Sequence, residues 1–172
     1  GAGLLSDSVR PVTRRQFLGY TAGSFALSFA SPGSVRAAAG PMIRRKIPGQ
    51  DQSIPAIGMG TWITFNVGKN AELRRSRLEV LNAFFEGGGG LIDSSPMYGS
   101  AQDVIGWCLK NTSQAKNLVS ATKVWTPAGG SAEQQMADAR SLWGLPSIDL
   151  MQIHNLVDWR DHLKVLRRAK DA

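Results

Sequence analysis

The chain has 172 residues, 42% hydrophobic and 8% aromatic, a composition ordinary for one globular domain. Its formal charge of +7 falls to +4 beyond residue 40, where 16 basic groups face 12 acidic ones. No basic stripe interleaved with aromatic residues occurs, which argues against nucleic-acid binding. The single cysteine, Cys108, excludes an intramolecular disulfide framework and a multi-cysteine metal site, and we interpret it as a core residue.

The first 39 residues resemble a twin-arginine export signal. Arg14 and Arg15 precede a mildly apolar run at 20–35, and Ala37 and Ala39 form a small-x-small cleavage site. The alternative is a membrane anchor, but a run of about 16 residues with several serines falls short of the roughly 20 apolar residues that a stable span needs. We therefore expect a partner in the twin-arginine machinery and a periplasmic, bacterial protein that is exported folded.

A β-hairpin is predicted next. Two short extended runs, 42–47 and 53–57, flank a turn rich in proline, glycine and aspartate. A glycine-punctuated strand at 58–62 follows, and glycine in a strand usually marks a close backbone approach.

Four strand–helix units are then predicted from residue 58 onward. After the strand at 58–62, helical periodicity begins at residue 70, with Leu78, Leu81 and Phe85 on one face. The later strands are expected at 91–92, 118–122 and 148–154, and the later helices at 101–110, from Ser131, and at 158–169. Ser131 and Gln134 have the spacing of a capping box.

The last helix is expected to bury three apolar side chains. They are Trp159, Leu163 and Leu166, while the basic residues of this helix lie largely on the other side.

Four such units with short connections predict parallel strands and right-handed crossovers. Open sheets and closed barrels both begin in this way. No G-x-G-x-x-G motif follows the first strand, and polar residues stand at the carboxyl ends of three successive strands, where barrels place their active sites. These two features favour an α/β fold of the (β/α)8 TIM-barrel type.

The strand ends supply a candidate active site. Asp93 ends a buried strand, Tyr98 lies on the loop after it, Lys123 follows the next strand and His154 ends the fourth. Each has a plainer interpretation: Tyr98 as a half-buried turn residue, Asp93 as a helix N-cap and His154 as hydrogen-bonded scaffold.

Four motifs together resemble the first four strand ends of the aldo-keto reductases. In order they are residues 58–62 (GMGTW), 92–99 (IDSSPMYG), 121–125 (ATKVW) and 149–154 (DLMQIH). The resemblance implies an eight-stranded α/β barrel that uses NADPH, less often NADH, to reduce an aldehyde or ketone without a metal.

The resemblance also implies a role for each catalytic residue. Tyr98 would be the general acid that protonates the carbonyl oxygen, and Lys123 would lower the pKa of its phenol. Asp93 would hold Lys123 in place, and His154 would donate a hydrogen bond to the substrate oxygen.

Further residues are matched to the cofactor and the substrate pocket. Gly60, Thr61 and Trp62 match positions that face the nicotinamide end of the cofactor, and Asp93 would reach the nearby ribose. Trp62 and Trp125 would form walls of the carbonyl pocket, although both could equally pack a barrel mouth.

The length of the chain indicates that only part of such a barrel is present. Such barrels usually need about 250 residues, whereas residues 40–172 would form only an N-terminal half, truncated after the fourth βα unit. The hypothesis is therefore an incomplete and inactive fragment of a reductase. The alternatives are a non-catalytic cofactor-binding or regulatory module of the same fold, and a half barrel completed by homodimerisation.

Overall fold

The computed structural model of the chain describes residues 42–126 and 131–171. The expected twin-arginine signal, residues 1–39, lies outside the described residues.

The described chain begins with the predicted hairpin. Strand β1 (Arg44–Lys46) pairs antiparallel with β2 (Ser53–Pro55). The Arg44 side chain reinforces the pairing, because its Nε donates to Ser53 Oγ at 3.1 Å.

Four parallel strands form the main sheet, in the spatial order of the chain. They are β3 (Gly58–Gly60), β4 (Leu91–Asp93), β5 (Val119–Val124) and β6 (Leu150–Ile153). Each neighbouring pair is parallel, so all four carboxyl ends meet at one edge. The predicted α/β fold with repeated βα units is therefore confirmed.

One helix follows each of these strands. The helices are α1 (Ala71–Glu86), α2 (Ala101–Lys110), α3 (Ala132–Trp143) and α4 (Trp159–Asp171). Ser131 caps α3 as predicted, since its Oγ accepts from the Gln134 N–H at 3.0 Å. The Gln134 side chain does not complete the capping box and donates instead to Asp138 at 2.8 Å.

The main core lies where α1, α2 and α3 pack against the sheet. Its buried side chains include Leu81, Phe85, Ile92, Val104, Ile105, Cys108 and Trp143. Burial raises the pKa of the Cys108 thiol to about 11, with Arg74 and Arg77 opposing the shift. A neutral, buried thiol agrees with the interpretation of Cys108 as a core residue.

The last helix differs from the prediction at Trp159. This side chain is 40% exposed and lies under the Arg160 guanidinium, which is 4.7 Å from the ring centroid. His162 is the buried residue of α4, because its Nε2 lies 3.0 Å from the Thr126 carbonyl oxygen and can donate to it. Near its start, α4 therefore buries His162 and leaves Trp159 partly exposed.

Among residues 42–126 and 131–171, no helix combines the length and the apolar composition needed to cross a bilayer.

Candidate active site

Lys123 and Asp93 form an ion pair at the carboxyl edge of the sheet. Lys123 Nζ lies 2.6 and 2.7 Å from the two carboxylate oxygens of Asp93 and 2.8 Å from the Ser94 carbonyl oxygen. The side chains are 13% and 34% exposed, respectively. An ammonium has three N–H donors, so these three contacts fix Lys123 in one position.

Gln152 is a member of the cluster that the sequence interpretation missed. Its Nε2 donates to Asp93 Oδ1 at 2.9 Å, and it stands opposite Lys123 in the pairing of β5 with β6. The sequence did contain a signal for Gln152. Alternate residues of a strand point to the same face, and Gln152 is two positions before His154. Asp93 is thus held by both Lys123 and Gln152.

Tyr98 is placed by a short 3-10 helix, Pro96–Tyr98, that follows β4. Gly99 closes this turn at φ +58°, and a Cβ at that position would lie 2.5 Å from Asn66 Oδ1. Only glycine satisfies both the backbone conformation and the space. Lys123 Nζ lies 5.6 Å from the centroid of the Tyr98 ring.

Asp93 does not cap the helix that follows it, so that alternative is wrong. The capping oxygen belongs to Ser95, whose Oγ accepts from the Met97 N–H at 3.2 Å. Asp93 is occupied by Lys123 and Gln152 instead.

His154 lies directly after β6 and contacts the same cluster. Its ring meets the Tyr98 ring edge to face, with centroids 5.6 Å apart and an interplanar angle of 84°. Its Nδ1 lies 2.6 Å from Ser95 Oγ. The structure therefore brings together all four side chains that the sequence proposed as catalytic: Asp93, Tyr98, Lys123 and His154.

Two tryptophans flank the pair of Tyr98 and His154. Trp62 is 64% exposed with its ring 6.5 Å from that of Tyr98, and Trp125 is 40% exposed with its ring 6.5 Å from that of His154. The Gln135 side chain fixes the Trp125 backbone, since it accepts from the N–H at 2.6 Å and donates to the carbonyl at 2.7 Å. These positions are compatible with pocket walls, which stay a prediction.

Gly60 ends β3 and Thr61 follows it, and the two residues lie in different environments. Gly60 is paired with Asp93, and a Cβ built on it would meet no atom within 4 Å. Thr61 is fully buried, and its hydroxyl donates to the Asp93 carbonyl at 2.9 Å. The Thr61 side chain therefore ties the end of β3 to β4, and its predicted contact with the cofactor stays a prediction.

The electrostatics of Tyr98 differ from the expectation. Burial, followed by the Asp93 carboxylate, raises the pKa of Tyr98 above its ordinary value of 10.0. We expected Lys123 to lower this pKa. The physical reason for the difference is that burial disfavours the charged phenolate, and that the Asp93 carboxylate, which is paired with Lys123, opposes the effect of the ammonium on the Tyr98 pKa.

His154 is shifted toward its neutral form. Burial and the Lys123 ammonium lower the pKa of His154 below its ordinary value of 6.5, and the Asp93 carboxylate opposes them. A neutral imidazole has one N–H donor and one acceptor nitrogen. At neutral pH His154 can therefore donate one hydrogen bond.

Replacing Asp93 by asparagine should lower the pKa of Tyr98. The change removes the negative charge that disfavours the phenolate, and it leaves the Lys123 charge unbalanced. Titration of tyrosinate absorbance in a Tyr20→Phe background, where Tyr98 is the remaining tyrosine, would measure the midpoint. Asp161→Asn is the matched control, because it removes an exposed carboxylate on α4. An unchanged or higher midpoint in Asp93→Asn would contradict this account.

Within the part of the chain that the structure describes, no group of three or more histidine, cysteine, aspartate or glutamate side chains could hold a metal ion. The cluster at the sheet edge is instead one ammonium, one carboxylate, one phenol and one imidazole. These groups can transfer protons and stabilise developing negative charge.

Comparison with known proteins agrees with the strand-end motifs. The sequence model of the Aldo/keto reductase family matches residues 56–171. The methylglyoxal reductase YeaE of Escherichia coli (strain K12) is 32% identical over 106 residues, which are 60% of this chain and 36% of that protein. The chain thus spans about a third of the length of this curated relative.

Solved structures show the same fold. An aldo-keto reductase from Klebsiella pneumoniae in complex with NADPH matches with a TM-score of 0.53 and 23% identity, over 66% of this chain and 40% of that one. Another aldo-keto reductase complexed with NADPH matches with a TM-score of 0.57 and 22% identity, over 74% and 45%. The four βα units therefore correspond to part of a TIM barrel, as predicted.

Proposed function

Because this chain belongs to the aldo/keto reductase family, we propose that it reduces an aldehyde or ketone to an alcohol with NADPH. The observation that carries the proposal is the cluster of Tyr98, the Lys123–Asp93 ion pair and His154 at one edge of the sheet. A proton donor, a fixed positive charge and a neutral hydrogen-bond donor are the groups that carbonyl reduction needs around the oxygen.

The residues around Gly60 fit a bound cofactor. Gly60 adjoins open space beside Asp93, and Trp62 presents a largely exposed ring at the same strand end. NADPH, which supplies hydride to the carbonyl carbon, would be held by Gly60, Thr61, Trp62 and Asp93, with Asp93 at the ribose. NADPH is favoured over NADH because both structural relatives described above contain NADPH.

Tyr98 is the proposed general acid. Its raised pKa keeps the phenol protonated at neutral pH, so the proton is available to the carbonyl oxygen. The tyrosine side chain makes no hydrogen bond with other residues in the described ranges, which leaves its O–H for the substrate. Lys123, 5.6 Å from the ring, would stabilise the phenolate that remains after the transfer.

His154 would orient the substrate by donating an N–H to the same oxygen. Its lowered pKa favours the neutral form, whose single donor can be aimed at the carbonyl. Trp62 and Trp125 would flank the substrate. Because the relative from Escherichia coli is named a methylglyoxal reductase, small 2-oxoaldehydes are the first substrates to test.

Valine at Gly60 should abolish NADPH binding without unfolding the protein. The added Cβ would meet no protein atom within 4 Å, and the valine methyl groups would enter the open space beside Asp93 and exclude the cofactor. Calorimetric titration with NADPH measures binding, and loss of NADPH absorbance with methylglyoxal measures turnover. The proposed function predicts binding and turnover by the unmodified chain and neither by Gly60→Val, and activity of the unmodified chain would also refute the alternative of an incomplete, inactive fragment.

Ala56→Val is the matched control, because it adds a valine at an exposed position just before β3. It should bind NADPH like the unmodified chain. A folded, unmodified chain that fails to bind NADPH would refute the proposed function. Binding without oxidation across a panel of aldehydes and ketones would indicate the non-catalytic cofactor-binding module instead.

A further inference from the structure

Ser95 and His154 make a contact that bridges two strands that are not neighbours. Ser95 follows β4 and His154 follows β6, with β5 between them in the sheet. Their Oγ and Nδ1 atoms are 2.6 Å apart. Ser95 is fully buried, so no solvent competes for its hydroxyl.

The direction of this hydrogen bond follows from the other contact of Ser95. Its Oγ already accepts from the Met97 N–H at 3.2 Å. If Nδ1 of His154 also donated to Oγ, the buried Ser95 O–H would have no acceptor among the described residues, which is unfavourable. If the Ser95 O–H donates to Nδ1, this buried hydroxyl hydrogen has a partner and Nδ1 has a donor. Ser95 is therefore the donor and Nδ1 the acceptor.

We propose that Ser95 is a positioning residue that fixes His154 in the tautomer with its proton on Nε2. This inference rests on the proposed function, because its consequence is that Nε2 becomes the donor to the carbonyl oxygen of the substrate. Nε2 makes no hydrogen bond within the described ranges, so its N–H is available. The opposite tautomer would present a lone pair to that oxygen and would repel it.

The charges around His154 agree with this arrangement. The Lys123 ammonium and burial favour the neutral ring, which is the state in which Nδ1 can accept. The edge-to-face contact with Tyr98 restricts rotation of the imidazole. The ring contacts do not distinguish the two nitrogens of His154. The hydrogen bond from Ser95 does, because it requires Nδ1 to be the acceptor.

The test is the tautomer of His154, observed by two-dimensional ¹H–¹⁵N NMR of the imidazole rings at neutral pH. The chain has two histidines, so the spectrum holds two rings, and His162 serves as an internal reference because its Nε2 contacts the Thr126 carbonyl. The expected result is an Nε2–H pattern for His154 in the unmodified chain. In Ser95→Ala, His154 should become a mixture of tautomers while His162 is unchanged.

Ser94→Ala is the matched control. Ser94 is the neighbouring serine, is equally buried, and its Oγ has no hydrogen-bond partner in the described part of the chain. This variant should leave both histidine patterns unchanged. A His154 protonated on Nδ1 in the unmodified chain, or a Ser95→Ala spectrum identical to it, would overturn the inference.

Kinetics then separate this inference from the proposed function. With methylglyoxal and NADPH, Ser95→Ala should lower kcat about three- to tenfold, the size expected for one net hydrogen bond, and should leave NADPH affinity unchanged. If the spectra are as expected but no NADPH is oxidised, the proposed function is refuted and the role of Ser95 in fixing the tautomer is not. Normal turnover with an Nδ1–H tautomer would refute the role of Ser95 alone.

Discussion

Replacing Tyr98 by phenylalanine is expected to lower kcat for NADPH-dependent carbonyl reduction by about 10²–10⁴-fold, the usual contribution of a general acid. The change removes the phenol O–H and keeps the ring, which contacts His154, Trp62 and Lys123. NADPH affinity and the free energy of unfolding should change little. Rates of NADPH oxidation with methylglyoxal, measured at saturating cofactor, test the expectation.

Trp159→Phe is a suitable control for this experiment. It alters an exposed aromatic residue on α4, under Arg160. Its kcat should equal that of the unmodified chain. Equal rates for Tyr98→Phe and the unmodified chain would show that another group supplies the proton.

The sequence was sufficient to predict the strand–helix order and the residues gathered at the sheet edge. Helical periodicity marks α1 and α2, and short apolar runs mark the strands between them. Parallel pairing then brings strand ends together whatever the details of packing. Asp93, Lys123 and His154 were therefore identifiable as neighbours from their positions at or beside three strand ends.

Cross-strand register was not predictable to the same degree. Gln152 reaches Asp93 because it pairs opposite Lys123, and Ser95 reaches His154 across an intervening strand. Both contacts depend on tertiary geometry at the level of single residues. Alternation along β6 places Gln152 on the same face as His154, but it does not reveal the partner.

The balance of charge around Tyr98 was the second property that the sequence did not predict. The expectation that Lys123 lowers the pKa of Tyr98 considered the ammonium alone. In the structure two oxygens of Asp93 lie within 2.7 Å of that ammonium. Burial of the phenol is the largest cause of the raised pKa of Tyr98. The sign of the shift thus depends on distances that no motif encodes.

The second large effect is expected at Gly106, in the middle of α2. A Cβ at this position would clash with the Leu142 carbonyl oxygen of α3. Alanine is favoured over glycine in a helix interior by about 1 kcal/mol, but overpacking against a backbone atom typically costs about 1–3 kcal/mol and occasionally more. Because a carbonyl cannot move without its helix, we expect Gly106→Ala to lower the free energy of unfolding by about 2 kcal/mol, measured by urea denaturation.

The two helices cannot easily separate to make room for that methyl group. Trp143 Nε1 on α3 and the Thr122 hydroxyl on β5 both donate to Gln102 Oε1 of α2, at 3.0 and 2.9 Å, inside the core. Gly60→Ala is the matched control, because its Cβ would meet no atom within 4 Å, and it should leave stability nearly unchanged. If Gly106→Ala instead unfolded at higher urea concentration than the unmodified chain, helix propensity would outweigh this contact and the close approach of α2 to α3 would not require glycine.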